Sequence, residues 1–180
     1  MILETKRLLL RPWTEEDAEA LYRYACDPQV GPPAGWQPHS SVENSRQVIR
    51  DILSKEGTFA LCVKELGPQP VGSAGVFPTD AVRDREEPEI GYWIARPFWG
   101  QGYIPEAVLR LLEGCFARPE TQRVWCAHFA GNDKSRRVIE KCGFTRQFLR
   151  ESDVVPFGEK RLTYYYAIRR EEWRFKFKGR

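Results

Sequence analysis

The run of three leucines in "RLLLRPW" (residues 7–13) predicts a first strand. Thr14 follows as an N-cap with Glu15, Glu16 and Asp17 in the first turn, and Ala18, Leu21, Tyr22 and Ala25 then recur at helical spacing. Asp27-Pro28 ends that helix. Residues 28–38 hold four prolines and two glycines, which predicts a loop without regular structure. Trp36 sits in it, either lining a pocket or covering the core. Ser40 or Ser41 caps a second helix with Val42, Ser45, Val48, Ile49, Ile52 and Leu53 on one face. Residues 59–65 and 71–77 read as strands joined by the turn chemistry of "LGPQP", hence a hairpin. A charged loop at 78–88 precedes "EIGYWIA" (89–95), apolar on both faces and so a central strand. A one-sided apolar stripe predicts a helix over 102–117. The strand "RVWCAHF", a short helix closed by Gly143, and strands at 144–151 and 162–168 complete the pattern. This order predicts a single α/β (α+β) domain over residues 1–180, built on a mixed, mostly antiparallel sheet of six to seven strands flanked by about four helices.

Composition narrows the class. With 180 residues, 42% hydrophobic and 29% charged, the chain is long enough for one sizeable core and reads as soluble. No apolar run reaches membrane-spanning length, and Glu4, Lys6 and Arg7 interrupt the beginning too early for a secretory signal, so a cytoplasmic protein without membrane partners is expected. The five cysteines form no C-x-x-C pair, which points to core thiols and to no metal site. Of the net charge of +3, residues 169–180 carry +4 and the rest −1. A basic nucleic-acid surface is therefore not expected, and residues 169–180 read as a solvated basic C-terminal tail.

The candidate chemistry lies in "ARPFWGQGYIPEA" (95–107). A strand that turns into a helix presents unsatisfied N–H groups, and the helix dipole adds about half a positive charge there. Gly100 and Gly102 let that backbone approach a phosphate, and Pro105 fits a first helical turn. The Gly-Lys-Ser/Thr ending of a P-loop and the third glycine of a dinucleotide fold are both absent.

"EIGYWIARPFWGQGYIPEA" followed by "NDKSRRVIEKCGF" resembles the GNAT acyl-CoA N-acyltransferase superfamily, in particular its RimJ/RimL-type branch; "ETKRLLLRPWTEEDAEALYRYACDPQV" resembles that branch's beginning. The resemblance implies a GNAT-like domain that uses acetyl-CoA and an amine acceptor. It implies that the backbone of Trp93, Ile94 and Ala95 pairs with the pantetheine arm, that the amides of Gly100, Gln101, Gly102, Tyr103 and Ile104 hold the pyrophosphate, and that Asn132 contacts the pantetheine arm. Pro97 stands where the family motif has Gln or Arg, so one side-chain contact to phosphate is missing. Ile139 stands where many members have a tyrosine acid, which leaves Ser135 as the expected acid, with Cys142, Tyr164, Tyr165 and Tyr166 as rivals. Glu89 is the expected base acting through water, with a solvated strand end as its plain alternative; Glu151 is the other candidate base. Trp36 and Glu151 are placed in the acceptor pocket. His39 and His128, the only histidines, are given no site role.

Chemistry also bears on the acceptor. Neutralising an α-amine of pKa ~7.8 at pH 7 costs ~1.1 kcal/mol, against ~4.6 kcal/mol for a lysine at ~10.4. A weak, water-mediated base therefore fits an α-amine, such as the N-terminus of a ribosomal protein. The alternatives are a small amine (amino acid, polyamine or antibiotic) and a non-catalytic acyl-CoA sensor. A homodimer is the expected assembly of this branch.

Overall fold

The computed structural model describes residues 1–82 and 86–177. Among them, eight strands form one mixed sheet: β1 (Leu3–Glu4), β2 (Leu8–Arg11), β3 (Thr58–Val63), β4 (Pro70–Pro78), β5 (Pro88–Ile94), β6 (Arg123–Phe129), β7 (Thr145–Val154) and β8 (Glu159–Arg169), hydrogen-bonded in the order β1-β2-β3-β4-β5-β6-β8-β7. The sheet exceeds the expected six to seven strands because β1 has only two residues, too few for a periodicity to register. Six helices stand where about four were expected: α1 (Ala18–Ala25), α2 (Gly31–Ala34), α3 (Val42–Val48), α4 (Tyr103–Ala117), α5 (Asp133–Lys141) and α6 (Arg170–Phe177). Contacts group the chain into two compact units, Met1–Gly75 with Tyr92–Arg110, and Val76–Gly91 with Leu111–Arg180.

In the first unit, β1 to β4 pair antiparallel, with Leu8 opposite Val63 and Ala60 opposite Ser73. Trp13, Ala18, Leu21, Ala25, Ile49 and Ala60 form its core. The Trp13 indole donates to Ser73 Oγ at 3.1 Å, and that hydroxyl donates to Phe59 O, so the polar atoms buried here are paired. Asp17, buried, accepts from Arg11 Nη1 and Nη2 at 2.7 Å each and from Thr14 N, closing the turn before α1. Ser41 is the cap of α3, its Oγ accepting from Asn44 N at 3.0 Å. The loop expected over 28–38 contains α2. Its two prolines occupy first-turn positions where a missing N–H is harmless, so composition read as a breaker here starts a helix.

In the second unit, Glu89 of β5 lies beside Trp125 of parallel β6, while β6 pairs with β8, and β8 with β7, antiparallel. Ala81, Trp125, Tyr165 and Ala167 form a buried cluster with Phe148 packed against it. The expected basic tail is largely α6. Arg170 anchors its start, donating to Phe116 O at 2.8 Å and to Thr121 O at 2.7 Å. The first of these takes up a carbonyl at the end of α4, where a cation is favoured. Residues 178–180 of that expected tail and residues 83–85 of the expected charged loop lie outside the described residues. No helix among the described residues is long and apolar enough to cross a membrane.

Four cysteines are buried and Cys26 is exposed; all five are free thiols. Burial pushes Cys115 up to about 11 and Cys142 up to about 12, so both stay protonated and act as small apolar groups. The two histidines are also buried. His39 Nδ1 meets Ser45 Oγ at 2.8 Å, and His128 Nε2 meets Tyr166 Oη at 3.3 Å. Burial pushes both imidazoles below their ordinary range. A depressed folded value means that the unfolded chain takes up protons first as pH falls, so stability is lost on the acid side of about 6.5. His39→Asn, which keeps an acceptor near the Nδ1 position, is expected to lose less stability than the parent between pH 7.5 and 5.5. Urea midpoints at each pH measure this, and parallel slopes would refute it.

Candidate active site

The glycine turn is organised by its own flanks. At the end of β5 the Ala95 N–H donates to Val71 O at 2.8 Å. Residues Arg96–Phe98 form a tight helical turn, after which the Trp99 indole reaches back to Ile94 O at 2.9 Å. The Pro97 carbonyl accepts from Gln101 Nε2 at 2.9 Å and closes the turn. Gly100 and Gly102 have φ of 76° and 80°, a region that side-chain-bearing residues rarely enter. A Cβ on Gly100 would have nothing within 4 Å, so the turn faces open space there. α4 begins at Tyr103, and Ile104, Ala107, Val108, Leu111 and Leu112 are all buried, as the apolar stripe requires. Tyr103 and Ile104 are in the first turn, whose N–H groups have no intrahelical acceptor.

Strand alternation refines the pairing expected for residues 93–95. A Cβ on Gly72 would lie 2.5 Å from Trp93 O and 2.9 Å from Ile94 Cα, so β4 packs against this edge only because residue 72 is glycine. Trp93 and Ala95 thus turn their backbone groups toward β4, and Tyr92 and Ile94 present theirs on the strand's other edge. Tyr92 was not singled out from the sequence; counting alternation back from the turn would have found it. Trp36 packs edge-on to Trp93 with centroids 5.7 Å apart, and lies 5.3 Å from the His39 ring. It is half-buried against the first unit's core, so it covers that core and also keeps an accessible face.

The second unit gathers the titratable groups. Glu89 is half-buried, not a solvated strand end. Its Oε2 accepts from Thr79 Oγ1 at 2.5 Å, and the Thr79 hydroxyl itself accepts from Ala81 N. Burial pushes the Glu89 carboxyl above the usual carboxylate range, with the Thr79 bond acting in the opposite sense. On the same face, Tyr165 Oη donates to Asp80 Oδ1 at 3.0 Å, Arg150 Nη2 donates to Tyr165 Oη at 2.8 Å, and Ser152 Oγ lies 3.1 Å from that phenol. The sequence reading missed Thr79, Asp80, Arg150 and Ser152. The alternation of "FLRES" places 148, 150 and 152 on one face, but which face it is depends on pairing with β8. Neighbouring Glu87 is held separately by the Arg123 guanidinium and by the Trp125 indole at 2.6 Å.

Glu151 does not share this site. It pairs with Leu162 on β8 and is exposed on the face opposite Arg150 and Ser152. Asn132 is the N-cap of α5, its side chain accepting from Ser135 N at 3.1 Å; both residues are half-buried. Of the rival acids, Cys142 is fully buried, Tyr165 and Tyr166 spend their hydroxyls on the partners given above, and Tyr164 stacks under the Arg146 guanidinium at 4.5 Å.

Residues 7–145 match the family model described as an acetyltransferase (GNAT) domain. The chain belongs to the GNAT acetyltransferase family. It is an acetyl-CoA-dependent N-acetyltransferase of that family, and its relatives and neighbours agree. The uncharacterized N-acetyltransferase p20 of Bacillus licheniformis is 30% identical over 95% of this chain and 97% of its own length. "Putative ribosomal N-acetyltransferase YdaF" of Bacillus subtilis is 36% identical over 47% of this chain and 46% of its own. Among solved structures, a GNAT-family acetyltransferase from Bacillus anthracis superposes with a TM-score of 0.81 at 24% identity, covering 95% of this chain and 99% of that one. Aminoglycoside acetyltransferase AAC(6')-Ib, solved in complex with coenzyme A, shares the fold with a TM-score of 0.74 at 19% identity, over 96% and 99% of the two chains. GNAT chemistry fits the glycine turn of this chain: positive-φ glycines, an open face at Gly100 and a fifteen-residue helix directly behind.

Proposed function

We propose that this GNAT enzyme acetylates a protein N-terminal α-amine of the ribosomal-protein type, with residues 1–180 acting as one catalytic domain in the cytoplasm. Acetyl-CoA supplies the acyl group as an activated thioester. The amides from Gly100 to Ile104 bind its diphosphate, backbone groups of Tyr92 and Ile94 align its pantetheine arm, and Asn132 contributes a further contact to that arm. Glu89 takes the proton from the incoming ammonium through water, and Ser135 returns one to the departing thiolate. Direct attack by the neutral amine then requires only one proton in and one out.

The observation that carries this reading is the Glu89 carboxyl, half-buried on the central strand, bonded to the Thr79 hydroxyl and pushed by burial above the usual carboxylate range. A carboxylate base working through water has less to do for an α-amine at ~7.8 than for a lysine at ~10.4. The name of the B. subtilis relative supports the ribosomal acceptor. The test is acetyl-CoA turnover against peptides with open α-amines, the same peptides with blocked N-termini and one internal lysine, and a set of polyamines and aminoglycosides. Mass spectrometry should place the acetyl group on the α-amine. Acetylation confined to small amines would replace the acceptor class, and tight acetyl-CoA binding without turnover would mark a sensor.

A further inference from the structure

We propose that Arg7 is a positioning residue for the diphosphate site: it holds the carboxylate of Glu106 away from the exposed amides at the start of α4 and fixes the turn that presents them. The inference rests on the reading that Gly100–Ile104 bind the diphosphate of acetyl-CoA.

Glu106 sits in the first turn of α4. A carboxylate there is ordinarily drawn to the helix's own unsatisfied N–H groups and to the positive end of its dipole. In a helix whose N-terminus must receive an external dianion, that carboxylate is a competitor and a source of repulsion. Here both its oxygens are occupied by donors from residues 5–7. Oε1 accepts from Thr5 Oγ1 at 2.5 Å and from Arg7 N at 2.8 Å, and Oε2 accepts from Arg7 Nε at 2.7 Å. The same guanidinium continues onto the turn. Its Nη1 donates to Gln101 O at 2.9 Å, its carbon lies 4.6 Å from the Tyr103 ring centroid, and its Nη2 lies 3.4 Å from where a Cβ on Gly102 would be. One side chain therefore touches Gln101, Gly102 and Tyr103 while neutralising Glu106. Lysine has one charged nitrogen and cannot make these contacts together.

An ordinary structural ion pair and this arrangement differ in one respect. A structural pair is symmetric, and losing either partner harms the fold. Here Arg7 assists the anion site and Glu106 opposes it, so the two deletions have different consequences. The experiment measures, by isothermal titration on the full chain, binding of acetyl-CoA and of S-acetyl-pantetheine, which ends before the diphosphate. Arg7→Met is expected to weaken acetyl-CoA binding about tenfold, with S-acetyl-pantetheine unchanged. Glu106→Gln alone should bind acetyl-CoA at least as tightly as the parent. The double variant should recover most of the loss of Arg7→Met. Equal losses from the two single variants, or parallel losses for both thioesters, overturn the proposal; the Glu106→Gln arm decides it even if Arg7→Met fails to fold. If the parent itself shows no preference for acetyl-CoA over S-acetyl-pantetheine, the diphosphate reading is what fails.

Discussion

Glu89→Gln should lower kcat/KM for the amine acceptor by about 10²- to 10⁴-fold, the range a positioned general base contributes, and should at the same time raise the melting temperature at pH 7. The two effects have one cause. Burial raises the folded-state pKa of this carboxyl above its unfolded value, so keeping it ionised at neutral pH costs stability. Glutamine has the same shape, still accepts the Thr79 hydroxyl through its carbonyl, and carries no charge to desolvate. The sign fixes the pH dependence: the melting-temperature gain is present at neutral pH and disappears as pH falls and the parent carboxyl protonates. The acid limb of the parent's kcat/KM profile lies above the ordinary carboxylate range and is missing from the variant. A variant that loses activity and also loses stability at pH 7 would show that Glu89 is held for packing and not as a base.

Gly100→Val should abolish measurable acetyl-CoA binding while leaving the protein folded. At φ 76° a β-branched residue is strained by about 1–2 kcal/mol, but its side chain meets no protein atom within 4 Å of the Cβ. The strain alone is reproduced by Gly158→Val, in the β7–β8 turn at φ 62° and equally open. Both variants are expected to melt a few degrees below the parent; only Gly100→Val should lose acetyl-CoA. Comparable binding by both variants would remove the turn from the site. This contrast separates backbone strain from occlusion, which a single glycine substitution cannot do.

Where the sequence was legible, local rules and tertiary context agreed. β6 is the stretch "RVWCAHF" itself, α4 begins one residue after the predicted start, and Ser41 is one of the two residues expected to cap α3. Proline misled the reading at 31–34, where it begins a helix; residues 170–177, read as a solvated tail, form α6 with no buried residue. There a basic segment read as solvated is anchored by Arg170 on carbonyls contributed by residues distant in sequence. Two candidate bases, Glu89 and Glu151, looked alike as carboxylates on strands; the β7–β8 register put Glu151 on the face opposite Arg150 and Ser152.

By itself the sequence determined most of the elements, the glycine turn and the family, because periodicity, capping and positive-φ demands are short-range and leave their marks within a few residues. It did not determine that Thr79 bonds Glu89, that Arg150 and Ser152 meet at Tyr165, or that Arg7 restrains Glu106 across a sequence separation of 99. Those facts depend on strand register and on which loop folds over which face. A one-residue slip in pairing reverses every side chain, so such contacts are decided only when the sheet closes.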